Sequence, residues 1–165
     1  MKNVISRRSF IAATLFVGTL SVAAPLRLAF AHEAPCPFCD MTITQDTPTT
    51  DNEVALRAGR KRIEYKCVYC AIAEAKTEYK GDVTIAAPSE KKGAPVIIKR
   101  TGDKWSATPA TAYFVNAERP KHRICQVQYR AFTSKAAAQA YIDKNKADLG
   151  NVSPLDLSQM IAVAK

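Results

Sequence analysis

Two Cys-x-x-Cys pairs, Cys36-Pro37-Phe38-Cys39 and Cys67-Val68-Tyr69-Cys70, constrain this 165-residue chain more than any other feature. They lie about 30 residues apart, the spacing at which two pairs close on one metal ion while the chain between them folds. Outside the cytoplasm the same four thiols could instead form disulfides, with Cys125 left over.

The stretch before the first pair reads as an export signal. Residues 1–31 hold Lys2, Arg7, Arg8 and Arg27 and no acidic residue. Ser6-Arg7-Arg8-Ser9-Phe10-Ile11 carries the paired arginines of a twin-arginine leader, followed by the apolar run Phe10 to Ala24 and the small-residue cleavage pattern Ala29-Phe30-Ala31. A membrane-spanning helix needs ~20 apolar residues, and Pro25 and Arg27 interrupt this run. The expectation is a cleaved leader (1–31) and a mature domain (32–165) without a stable membrane anchor, periplasmic or otherwise extracytoplasmic. Twin-arginine export carries folded proteins, often with a cofactor already installed, so a metal is worth looking for.

The whole chain carries a net charge of +9, and the leader accounts for four of the basic residues. The rest are scattered in short groups such as Arg60-Lys61-Arg62 and Lys91-Lys92, the pattern of a solvated surface, which argues against nucleic acid as a partner.

Alternation of apolar and polar residues predicts a hairpin from Val54, Leu56 and Ala58 through Gly59-Arg60 to Ile63, Tyr65 and Cys67. Val68, Ile72, Ala75 and Tyr79 then recur at helical spacing, and Val83, Ile85 and Ala87 read as a further strand. After a turn-rich link from Pro88 to Pro95, a second hairpin turns at Thr101-Gly102-Asp103. Ala112 to Ala117 and Cys125 to Ala131 read as strands, and Thr133 or Ser134 caps a helix through Asn145. The expected fold is α+β, with two ββα(β)-type modules (about 36–90 and 95–150) in one compact domain and a last helix or strand over 153–165. Tyr65-Lys66-Cys67 and Tyr129-Arg130-Ala131 are expected at equivalent places in the two halves.

Cys67 and Cys70 fall at a strand-to-helix junction, where unpaired N–H groups and the helix dipole favour thiolate over thiol. Cys39 and Met41, two residues apart on a segment expected to be extended and too short to bury itself, offer a thiolate and a thioether. That soft donor set selects Cu(I) over hard ions, and zinc has no use for the thioether. Met41 also shares strand parity with Ile43 and could simply pack in a core. Cleavage after Ala31 would leave His32 with a free α-amine beside its imidazole. His122 and Cys125, three residues apart, can serve one site only if Pro120 to Arg123 is a loop.

The candidate metal ligands are therefore Cys36, Cys39, Met41, Cys67, Cys70, His122 and Cys125. Copper(I) is the first choice of metal. A structural zinc site using the four paired cysteines in a protein-interaction domain is the alternative. Thiol-disulfide exchange at Cys67-Val68-Tyr69-Cys70 is a third possibility. No Ser-His-Asp set, phosphate loop or assignable carboxylate pair is visible, so binding and transfer are expected rather than enzymatic turnover.

The leader, Cys-x-x-Cys-x-Met, a Trp followed by Ala112-Tyr113-Phe114-Val115, and Ala131-Phe132-Thr133-Ser134-Lys135 before a helix together resemble the NosL family of nitrous-oxide-reductase accessory proteins. The resemblance implies paired ββαβ-type modules, Cu(I) binding outside the cytoplasmic membrane and delivery to a copper enzyme such as nitrous oxide reductase. It matches Cys39 and Met41 to the family's Cys-Gly-Met ligand region, and Cys36 to the cysteine before it. Asp40 stands where the family usually has Gly.

Overall fold

The computed structural model describes residues 32–45, 54–117 and 128–165. The expected leader (1–31), His122 and Cys125 lie outside the described residues. The fold is α+β, as the sequence indicates.

β1 (His32–Pro35) and β2 (Thr42–Gln45) form a short antiparallel hairpin around Cys36 to Met41. β3 (Val54–Ala58) and β4 (Lys61–Tyr65) form the expected hairpin, turning at Gly59, whose φ of 58° suits a residue without a Cβ. α1 (Val68–Thr77) leads to β5 (Val83–Ala87), then β6 (Val96–Thr101) and β7 (Lys104–Thr108). These strands make one antiparallel sheet in the order β4-β3-β5-β6-β7. β4 and β5 both run antiparallel to β3, so α1 is a crossover between two parallel strands, lying over β3.

One face of the sheet is apolar because the alternation is in register across it. Leu56 sits opposite Ile63 and Ile85, and Ile85 opposite Ile98. Leu56, Ile85 and Ile98 are fully buried, together with Val68, Ile72, Ala71 and Ala75 of α1. Each buried Leu or Ile side chain contributes about 1.5–3 kcal/mol. α4 (Leu157–Val163) adds the buried Met160 to this core. It starts with a capping box, Asp156 accepting from the Gln159 N–H while the Gln159 side chain accepts from the Asp156 N–H. The 153–165 segment thus resolves as a helix.

The second ββα unit comprises β8 (Tyr113–Asn116), β9 (Tyr129–Phe132) and α2 (Lys135–Lys144), with the short α3 (Lys146–Leu149) after it. Its own core is Val115, Phe132, Ala138 and Ile142. The hairpin β6–β7, expected to open the second module, extends the first module's sheet instead. The equivalence of the halves also shifts. Cys67 and Ser134 are the N-caps of α1 and α2, with φ/ψ of −154°/173° and −154°/161°. By that register Tyr65 corresponds to Phe132, not to Tyr129, because the cap fixes the frame and matching tyrosines alone do not. Ser134 caps in the ordinary way, accepting from the Ala137 N–H at 3.1 Å.

Periodicity gave no warning of Arg100. It occupies an apolar-face position of β6 and is only 8% exposed. Its guanidinium donates to the carbonyls of Ala75 (2.5 Å), Gly81 (2.6 Å) and Tyr79, and lies 5.6 Å from the centroid of the Trp105 ring. A buried cation thus takes up the carbonyls at the C-terminal end of α1, where the dipole favours positive charge. Arg100→Met, which keeps the aliphatic stem, should leave those carbonyls unpaired and lower stability by about 2–4 kcal/mol. Urea unfolding checks this, and a midpoint equal to that of the wild type would contradict it.

Candidate metal centre

The loop from Cys36 to Met41 is not the exposed extended segment that its length suggests. The Cys36 N–H donates to the Met41 carbonyl (2.9 Å) and the Asp40 N–H to the Cys36 carbonyl (2.9 Å), closing a tight knuckle. Asp40 makes the turn with φ 58°, the only positive φ at a non-glycine among the described residues. That explains why Gly would serve there and why Asp, which tolerates the left-handed region better than most residues, does too. The knuckle lies on the main core. Cys36 and Cys39 are fully buried, Ile43 nearly so, and Met41 is half-buried against the same cluster. Tertiary contact with β4 and α1 is what a reading by local length could not anticipate.

The opposite wall is the β4-to-α1 junction. Cys67 is the N-cap residue of α1 in extended backbone, and Cys70 lies one turn into the helix, fully buried. Cys36, Cys39 and Cys70 place their sulfurs within 4.8 Å of one another, a group able to hold a metal ion. Cys70 Sγ lies 3.7 Å from Cys39 Sγ and 3.7 Å from Cys67 Sγ. Metal–sulfur bonds of about 2.3 Å place sulfurs about 3.8 Å apart in a tetrahedral site and about 4.0 Å in a trigonal one, so these separations suit a shared ion. None of these four cysteines is half of a disulfide. Cys67 stands beside Cys70 but outside the mutual group of three.

The surroundings bias the group toward one thiolate. The Cys36 thiol is held down at about 6, first by the hydrogen bond from the Cys70 thiol, against the cost of burial, and further by the backbone N–H groups of Lys66, Cys39 and Phe38. The Lys66 N–H lies 3.4 Å from that sulfur. Cys70 is pushed far up because its proton is shared with Cys36 and Cys67 in a buried place, and Cys39 is pushed up chiefly by burial. These directions favour negative charge on Cys36, where backbone N–H groups surround the sulfur, over Cys39 and Cys70.

An aromatic row runs beside the two Cys pairs. Phe38, inside the first Cys pair, meets the edge of Tyr69, inside the second, at 5.9 Å between centroids. Tyr69 stacks on Tyr129 of β9 at 6.2 Å and 15°. The row bridges the two ββα units, and its members are partly buried against the main core. The phenol of Tyr129 is raised by burial and then by the nearby Tyr69 and Cys67. The sequence marks Tyr129 only as a strand residue and Tyr69 only as the spacer of the second Cys pair; the fold brings them into one stack. Beside Cys67 opens a cavity of about 580 Å³, bordered by Lys66, Glu90, Gln128, Tyr129, Tyr141 and Asn145 among others.

No protein-family model matches the chain, and no curated protein matches it. Among solved structures it is similar to the mercury-bound form of MerB2, with a TM-score of 0.55 and 15% identity, over 70% of this chain and 56% of that one. The chain therefore spans little more than half the length of MerB2, and the likeness is one of fold.

The geometry of the knuckle generates a backbone prediction. Asp40→Val puts a β-branched side chain at positive φ and should cost about 1–2 kcal/mol, whereas Asp40→Gly should stay within about 0.5 kcal/mol of the wild type. Denaturant unfolding of the metal-free protein measures both. Equal stabilities for the Val and Gly variants would contradict the knuckle.

Proposed function

We propose that the protein is an exported Cu(I) carrier that holds the ion between Cys36, Cys39 and Cys70 and hands it to a copper enzyme outside the cytoplasm. The observation that carries this reading is the convergence of three buried thiols from two distant segments on one point. An all-sulfur donor set excludes hard cations, and a closed d¹⁰ monovalent ion is satisfied by three thiolates where structural zinc takes four donors. Full burial of the three thiols suits an ion that water and oxygen would otherwise reach. The twin-arginine pattern of residues 1–31 and the resemblance to the NosL family support the same reading. So does the occurrence of a related fold with mercury, another thiophilic ion, in MerB2.

A structural zinc site is the second reading, favoured by one observation. Cys67 Sγ lies as close to Cys70 as Cys39 does, 3.7 Å in each case, so a fourth thiolate is at hand. In that case the ion would contribute directly to folding, and a chelator would unfold the domain.

Under the carrier reading, Cys39→Ser and Cys70→Ser should each weaken Cu(I) binding by more than tenfold, or above ~1.4 kcal/mol, because a neutral hydroxyl is a poor donor to a soft ion. Met41→Leu preserves volume and apolarity, and should lower Cu(I) affinity without changing zinc affinity if the thioether joins the set. Competition with a chromogenic Cu(I) chelator under anaerobic conditions reads out all three variants. Wild-type Cu(I) affinity in both serine variants would rule out the carrier site.

A further inference from the structure

The four described cysteines are not equivalent, and the difference is one of access. Cys36, Cys39 and Cys70 form the closed group, fully buried, and none of them borders the cavity. Cys67 lies outside that group, 3.7 Å from Cys70, and forms part of the cavity wall while being only 2% exposed. As the N-cap of a ten-residue helix, it also stands where unpaired N–H groups favour a negatively charged sulfur. The cavity is wide enough for a small molecule or a few residues of peptide, and its wall mixes Lys66 and Arg130 with Glu90, Gln128 and Asn145.

We propose that Cys67 is the exchange ligand of the centre, passing a soft ion from the three-thiol group to a sulfur donor that enters the adjoining cavity. The inference rests on the carrier reading and adds the exit route. In the first exchange the ion keeps its bond to Cys70, the bond to one knuckle thiolate, Cys36 or Cys39, breaks, and the bond to Cys67 forms. The Cys67 proton passes to the released knuckle sulfur. In the second, an acceptor thiol bonds the ion as the bond to Cys67 breaks, and its proton returns to Cys67; the bonds to Cys70 and to the remaining knuckle thiolate then break in turn as two further acceptor thiols bond the ion, each passing its proton to the protein sulfur it replaces. Copper stays Cu(I) throughout, so neither an oxidant nor a reductant is required. A separation of 3.7 Å lets one ion touch both sulfurs at once, so no step requires a bare ion in the core.

The test separates holding from handing over. Protein loaded anaerobically with one equivalent of Cu(I) is mixed with excess N-acetylcysteine, or with a short cysteine-containing peptide. Loss of the thiolate-to-copper ultraviolet absorption is followed by stopped flow, and equilibrium affinity is measured separately by chelator competition. Cys67→Ser, which keeps a good N-cap, should retain Cu(I) within about threefold of wild-type affinity and transfer it at least tenfold more slowly. Gln128→Trp, which narrows the cavity without touching a sulfur, should slow transfer at least fivefold with affinity unchanged. Faster transfer to the small thiol would mark a free thiol as the acceptor, and faster transfer to the peptide a protein segment. Wild-type transfer rates to both acceptors in Cys67→Ser, or a wild-type rate in Gln128→Trp, would overturn the exit route while leaving the carrier reading intact. So would a more than tenfold loss of affinity in Cys67→Ser, which would make Cys67 a resident ligand. Failure of the wild type to retain Cu(I) at all would overturn both.

Discussion

The contact between the Cys36–Met41 knuckle and the start of α1 is the interaction on which the rest of the structure depends. Three fully buried sulfurs from segments about 30 residues apart in sequence lie within 4.8 Å of one another, and each needs a reason to be there. The backbone N–H groups of Phe38, Cys39 and Lys66 supply one, by stabilising a thiolate on Cys36. The helix supplies another, by placing Cys70 one turn in from its N-terminus, facing the knuckle. The knuckle in turn closes the edge of the sheet at β4, where Lys66 reaches back to donate to the Thr42 carbonyl at 3.0 Å. Site and fold are the same set of contacts in this region, so the fold itself brings the three thiols together.

The second ββα unit gives the centre a boundary. β9 lies against α1, and the Tyr69–Tyr129 stack joins the two helix-bearing units. Lys76 ties α1 to α4 by donating to the Ile161 and Ala164 carbonyls, at 3.1 and 2.6 Å, and Phe114 pairs with Leu155 to hold the C-terminal segment on β8. Arg100 secures the far end of α1. The helix that carries Cys67 and Cys70 is thus fixed at its base by the sheet, at its C-terminal end by a buried cation, and along one side by α4. A metal site on such an element holds its geometry better than one on a loop.

Much of this was legible in the sequence, for identifiable reasons. The β3–β4 hairpin, α1, β5 and the β6–β7 hairpin follow from alternation and turn residues that lie close together in the chain, such as Leu56, Gly59, Ile63 and Gly102. The meeting of the two Cys pairs was readable from spacing, since few arrangements give Cys-x-x-Cys twice a use for being near itself. The unequal roles within the pairs were not. That Cys67 caps the helix and faces a cavity, while Cys70 points to the knuckle, depends on where a strand stops and a helix begins, which sequence patterns locate only to within a few residues. Nor could local pattern show that Asp40 adopts positive φ to bury Cys39, that Arg100 occupies an apolar-face position because three carbonyls await it, or that β6–β7 joins the first sheet. Each is settled by partners distant in the sequence.

The central claim is that one soft ion sits among the sulfurs of Cys36, Cys39 and Cys70. X-ray absorption at the copper edge, on protein loaded with one equivalent of Cu(I), tests it most directly, because it counts and identifies the atoms bound to the ion. The account predicts a first shell made of three sulfurs in the wild type, reduced to two by Cys70→Ser. A first shell of nitrogen or oxygen, or a sulfur count that Cys70→Ser leaves unchanged, would contradict it.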